Sequence, residues 1–192
     1  MRKRMFLIGA MAATPALLAA ATVASTLSFQ SGSRVWVEGT SSTRSYRCES
    51  PRIEGTAQAT TTDLTQLRSI PRAELTIPVA ALDCRNGTMN GHMRRALKAD
   101  QHANIRFQAT SVALTPGATG SAARMTGTLT IAGETRPATL QGQVVEDNGQ
   151  LRVRGTYNLT MTDFGVQPPS LMMGTMKVHP PVTIGYDVLL RP

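Results

Sequence analysis

Leu151-Arg152-Val153-Arg154-Gly155-Thr156-Tyr157-Asn158-Leu159-Thr160-Met161 is the stretch that decides the fold. Leu151, Val153, Gly155, Tyr157, Leu159 and Met161 fall on one side of an extended chain, and Arg152, Arg154, Thr156, Asn158 and Thr160 on the other. Strict alternation marks a strand with one buried face. Working outward, Val182, Ile184, Tyr186, Val188 and Leu190 repeat the pattern toward the C-terminus. Met125, Gly127, Leu129 and Ile131 repeat it upstream against Thr126, Thr128 and Thr130. Ile105-Phe107 and Leu75-Ile77-Val79 are shorter instances, and Arg34–Gly39, Arg44–Cys48, Ile53–Thr60 and Ala138–Val145 are fainter ones. Ala132-Gly133-Glu134-Thr135 and Asp147-Asn148-Gly149 carry hairpin-turn chemistry between such runs. Many amphipathic strands at short spacing predict an antiparallel sandwich or barrel.

One segment breaks the period. From Thr88 to Asp100, Met89, Met93, Ala96 and Leu97 recur at helical spacing, with Arg94, Arg95 and Lys98 around them. This predicts one short amphipathic helix inserted between strands. No internal repeat or linker interrupts residues 29–192, which read as one domain.

Composition narrows the chemistry. The chain has 192 residues, 41% hydrophobic and 17% charged, which excludes a disordered chain and a polytopic membrane protein. Aromatics are only 4%, so the core must be aliphatic. Three histidines and two cysteines argue against four-ligand zinc sites and iron–sulfur clusters. There is no GxSxG, HExxH or CxxC, no phosphate-cradling glycine loop, and no convergent acid, base and nucleophile. The expectation is a protein that is not an enzyme, without a metal site or catalytic residue.

Residues 1–25 have the parts of a secretory signal: Arg2-Lys3-Arg4, an uncharged run from Met5 to Val23, and small residues at its end. Cleavage is expected to leave a chain starting between Thr22 and Thr26; an uncleaved anchor is the alternative, weakened by Pro15. Removing the three basic residues takes the net charge from +8 to +5. The remaining arginines are scattered with few aromatics between them, which argues against nucleic acid. A solvated basic surface is the plain reading of this charge, and transient contact with an anionic membrane surface is the sharper one. The expected location is outside the cytoplasm, in a periplasm or the medium. Cys48 and Cys84 are the only cysteines, and in an oxidising compartment they predict a disulfide. Free thiols and a catalytic thiol are the alternatives.

Two features bear on a binding role. Gly127, Ala138, Gly142 and Gly155 sit on apolar faces where a filled barrel would want bulk, and an eight-stranded barrel is about wide enough for one small ligand. The other explanation is that they permit strand bending and close packing. Phe164-Gly165-Val166-Gln167-Pro168-Pro169 then leads into Leu171-Met172-Met173-Gly174-Thr175-Met176, whose prolines and glycines oppose regular structure. Its surplus of apolar side chains fits either a lid over an apolar ligand or a plug sealing the core.

Four motifs in order carry a family resemblance. Val35-Trp36-Val37-Glu38-Gly39-Thr40-Ser41 resembles the first strand and turn of the YceI-like family. His92-Met93-Arg94-Arg95-Ala96-Leu97 followed by Asn104-Ile105-Arg106-Phe107 resembles its helix and next strand. Gly127-Thr128-Leu129-Thr130-Ile131-Ala132-Gly133-Glu134-Thr135-Arg136-Pro137 is similar to its hairpin, and Met161-Thr162-Asp163-Phe164-Gly165-Val166 to a late strand end. Ala103-Asn104 departs from the Tyr-Pro of many members. The resemblance implies an all-β, lipocalin-like antiparallel barrel of about eight strands with an apolar tunnel. It implies a long-chain isoprenoid, quinone-like or other amphiphilic lipid as ligand, and no catalysis. The expected lining comprises Met93 and Leu97 from the helix, with Phe107, Leu129, Tyr157 and Leu159. Ile184, Tyr186 and Val188 complete the wall, with Phe164, Met172, Met173 and Met176 at the mouth. The alternative is a filled barrel serving as an interaction or stress-response module. Oligomeric state is open, a homodimer included.

Overall fold

The computed structural model describes residues 25–171 and 175–192. The expected signal segment up to residue 24 lies outside them, as do Met172 and Met173. The strands are β1 (Ser25–Phe29), β2 (Arg34–Ser41), β3 (Ser45–Ser50), β4 (Glu54–Ala59), β5 (Ser69–Ile70) and β6 (Arg72–Pro78). After helix α1 (Gly87–Ala96) come β7 (Asn104–Gly117), β8 (Gly120–Ile131), β9 (Glu134–Asp147), β10 (Gln150–Thr160), β11 (Ser170–Leu171) and β12 (Met176–Arg191).

Eight strands close into an antiparallel barrel in the order β1-β4-β6-β7-β8-β9-β10-β12. Closure is made by Ser28 opposite Arg191 and Phe29 opposite Leu190. Sequence patterning predicts this architecture because inward positions alternate on every long strand. The barrel begins at Ser25, ahead of the residue-29 boundary expected from sequence, and Leu27 of β1 is fully buried. At the β9–β10 turn Asn148 and Gly149 both take positive φ, as a two-residue hairpin requires. Pro180 and Pro181 fall where the β12–β2 register shifts, a place where a missing N–H costs no regular ladder bond.

The ring is locally split. β2 and β3 form a hairpin that continues from the edge of β12. On its other edge β3 bonds to the Asp83 backbone, through two 2.9 Å bonds with Glu49. The segment from Val79 through α1 occupies the space between β3 and β6. The Leu75-Ile77-Val79 run is accordingly strand only as far as Pro78, because Val79–Ala81 form a 3-10 turn. The Cys48–Cys84 disulfide ties this insertion to β3.

The two ends of the barrel differ. At one end the β4–β6 connection folds Leu64, Leu67 and Ile70 into the core. Asp63 holds its turn by accepting bonds from the Thr65 amide and hydroxyl. At the other end lie α1, the β2–β3 and β8–β9 turns, and the β10–β12 connection.

Candidate functional site: an apolar cavity under helix α1

A cavity of about 710 Å³ occupies the barrel interior and reaches the α1 end. Its volume falls within the roughly 300–1,000 Å³ of small-molecule sites. The void speaks against the filled-barrel alternative. Its wall is almost wholly hydrocarbon: Ile77 on β6, Phe107 and Val112 on β7, Met125 and Leu129 on β8, Leu140 on β9. Alternation explains this wall, since every second side chain of each strand must face inward. Tyr157 and Leu159 of β10 line it, as do Ile184, Tyr186 and Val188 of β12, in the positions read from the period-two runs.

Helix α1 forms part of the mouth. Met89, His92, Met93, Ala96 and Leu97 lie along the cavity, at spacings of three and four that share one helical face. No residue of α1 is fully buried, so this apolar face borders the void. The helix is held firmly. Asn86 caps it by accepting from the Met89 amide at 2.9 Å. Asn90 donates to the Asp83 carboxylate at 2.8 Å and accepts from the Cys84 amide at 2.8 Å. These bonds, with one from the Arg85 amide, hold the Asp83 carboxyl below its ordinary range. Arg94 and Arg95 fall in the last turn, where a cation favours the helix dipole. The helix stops short of the predicted Asp100, because Lys98 turns to positive φ.

The described parts of the β10–β12 connection are more ordered than their prolines and glycines suggest. A 3-10 turn at Met161–Phe164 ends on Gly165 in the left-handed region, and Ser170–Leu171 pair with Met176–Lys177. Phe164 and Val166 are buried in the core and line the cavity, while Pro169 and Met176 contribute to the same wall. Its described residues therefore plug and line at once.

For the glycines the close-packing explanation holds. Gly142 and Gly155 leave no open space, because the Tyr186 ring lies across both and its hydroxyl donates to the Gln141 carbonyl at 2.6 Å. Burial pushes that phenol up to about 12. Gly127 allows the Gln108 backbone to approach closely. Ala138 is buried in the core but does not border the cavity. The void is bounded instead by the aliphatic wall and α1.

Sequence reasoning did not single out Tyr46, Arg44 or His92 as cavity residues. Tyr46 sits inward over Gly39, and burial raises its phenol above the ordinary value. Its signal was the alternation of the fainter Arg44–Cys48 run. Arg44 and His92 border the same cavity. Two carboxylates stand well apart in role: Asp163 lies in the 3-10 turn after β10 and Asp187 on the outer face of β12. Asp187 accepts two 2.7 Å bonds from Arg152, with Arg154 and Arg34 beside it, and Arg152, then Arg154, bring its carboxyl down to about 2. Among the described residues, no cluster of three or more His, Cys, Asp or Glu could hold a metal, and no helix is long and apolar enough to cross a membrane.

Similar folds occur in solved structures. The crystal structure of BcnA from Burkholderia cenocepacia shares 20% identity with a TM-score of 0.66, over 82% of this chain and 96% of that one. A polyisoprenoid binding domain from Saccharophagus degradans, described as implicated in plant cell wall breakdown, shares 13% identity with a TM-score of 0.64, over 86% and 97%. The YCEI protein of Campylobacter jejuni shares 15% with a TM-score of 0.56, over 72% and 80%. No curated protein matches the chain. The model of the YceI-like domain matches residues 20–190, and the chain therefore belongs to the YceI-like family.

Proposed function

We propose that this chain is an exported binding protein that holds a long-chain isoprenoid, quinone-like or similar amphiphilic lipid in the barrel. The observation that carries this reading is the hydrocarbon-walled cavity with the apolar face of α1 turned onto it. An apolar chain along this wall would pack against the partly buried Met89, Met93 and Leu97. About ten methylenes moved from water into it are worth roughly 8 kcal/mol before ordering costs. The tail would lie against Phe107, Leu129, Tyr157, Leu159, Ile184 and Val188, with Phe164, Met176 and Tyr186 around it. The polyisoprenoid-binding description of the Saccharophagus domain supports the same ligand class. Export is supported by the signal-like start and by a disulfide that suits an oxidising compartment.

The test is native mass spectrometry of protein purified from its own host, followed by delipidation and titration with a fluorescent isoprenoid. A co-purifying long-chain lipid and saturable uptake are expected. A ligand-free barrel that takes up no probe after delipidation overturns the reading.

A further inference from the structure

The methionines are not scattered. Among the described residues they are Met89, Met93, Met125, Met161 and Met176, and every one of them borders the cavity. Met125 lies inside the barrel on β8. The other four gather at the α1 end. Met89 and Met93 stand one turn apart on the helix, Met161 opens the turn after β10, and Met176 begins β12. None of the five is fully buried. A wall that needed only bulk is served by leucine, as Leu129, Leu140 and Leu159 serve it elsewhere.

A thioether differs from leucine in one reaction. Hydrogen peroxide transfers one oxygen atom to the sulfur. The O–O bond breaks, an S–O bond forms, the sulfur is oxidised by two electrons, and the peroxide is reduced to water. The product is a polar sulfoxide where an apolar side chain stood. Exposure decides which thioethers react, and these four are partly exposed around the opening. Met93 Sδ also lies 3.7 Å from Cys84 Sγ, so an oxygen added there would stand against the disulfide that ties α1 to β3.

We propose that Met89, Met93, Met161 and Met176 form an oxidation site, at which peroxide-type oxidants turn the rim of the cavity from apolar to polar and release its ligand. This rests on the lipid-tunnel reading and adds a control on that same site. An apolar chain offers no donor to a sulfoxide oxygen. Each conversion therefore withdraws apolar contact and leaves an acceptor facing hydrocarbon. A methionine sulfoxide reductase restores the thioether, which makes the release reversible.

The experiment treats the delipidated, exported protein with hydrogen peroxide, maps sulfoxides by peptide mass spectrometry, and titrates the product with a fluorescent isoprenoid. The four methionines are expected to oxidise, and affinity to fall about 10-fold or more, because buried acceptors are left unpaired. Reductase treatment should restore it. Saturating farnesol, added first, should slow oxidation of the four several-fold. Met89→Leu with Met93→Leu, Met161→Leu and Met176→Leu keeps the core volume and retains Met125, Met172 and Met173. Compared with its own untreated sample, this variant should lose no affinity to peroxide. The lighter pair Met89→Leu with Met176→Leu should lose less than the wild type. Unchanged affinity in a protein oxidised at the four overturns the oxidation site alone, as does a wild-type loss in either leucine variant. Resistance of the four to peroxide, one rate with and without farnesol, or a loss that accompanies unfolding in circular dichroism also overturns it. Failure of the untreated protein to bind the probe overturns the lipid reading and this inference together.

Discussion

Gly155→Ala is a one-methyl change that tests how the interior is built. The added Cβ would collide with the Tyr186 phenol oxygen and the Gln141 carbonyl, and would lie 2.6 Å from Tyr186 Cζ. The carbonyl belongs to the β9 ladder and cannot retreat, so the tyrosine ring must swing toward the cavity. Overpacking of this kind costs about 1–3 kcal/mol. Losing the 2.6 Å bond from Tyr186 to Gln141 adds about 0.5–1.5 kcal/mol. A total of about 2–4 kcal/mol lowers the thermal midpoint by roughly 4–16 °C in a domain of this size. The displaced ring should also shorten the space open to a lipid tail. Tyr186→Phe, which loses the hydroxyl alone, should cost only the hydrogen-bond share. Combining Gly155→Ala with Tyr186→Leu should be less damaging than the sum of the two changes, because the collision with the ring is gone. Ultraviolet titration offers an independent reading, since a ring moved off its glycine bed should titrate below its present value of about 12. A Gly155→Ala protein with the wild-type midpoint and an unchanged tyrosine titration would refute this account of the interior.

Other outcomes follow from features already described. Replacing Cys48 and Cys84 together by Ser should cost about 2–4 kcal/mol in denaturant unfolding, and should raise hydrogen exchange in α1 before the barrel strands. Asp187, with its carboxyl lowered from 3.8 to about 2, contributes stability that is complete above the unfolded value and fades as pH falls from about 4 toward 2. The worth is about 1–2 kcal/mol after allowance for solvent screening, and Asp187→Asn should flatten that limb of the stability–pH curve. Met176→Ser should leave the midpoint nearly unchanged and speed release of a fluorescent isoprenoid in a dilution assay, because it removes apolar contact from the mouth. Intact mass of exported protein should show a start between Thr22 and Thr26. A cut after Leu27 would remove the buried anchor of β1 and should yield no folded barrel.

The barrel was legible where polar residues alternate cleanly with apolar ones. Arg152, Arg154, Thr156 and Asn158 announce the outer face of β10 by contrast with Leu151 to Tyr157. β1 was too short to show that contrast, because only Thr26 to Phe29 alternate before the turn and an alanine-rich apolar run ends just ahead of them. Leu64, Leu67 and Ile70 escaped notice for another reason. They sit three apart in an irregular connection, and no strand period marks a plug. The glycines show the limit of counting volume along one strand. Gly155 is small on its own strand, but the side chain that uses the space belongs to β12, thirty-one residues later in the sequence. Tyr46 and Arg44 were weak for a similar reason, since only the closing of the β2–β3 hairpin over α1 brings them to the mouth.

Strand β12 pairs with β10 along one edge, and with β2 and β1 along the other. It is the last of the barrel strands to be made, so the ring has no closing stave until β12 itself has emerged. Until then β10 and β2 present unpaired edges, each a template for association with another chain. Closure must also join Ser28 to Arg191 across nearly the whole sequence, a contact order that favours slow folding. A chain waiting in this state exposes the same hydrocarbon wall that later encloses the cavity. Loss of the last residues of β12 would therefore act on the whole barrel rather than on one strand end, leaving an open, aggregation-prone sheet where a closed vessel should be.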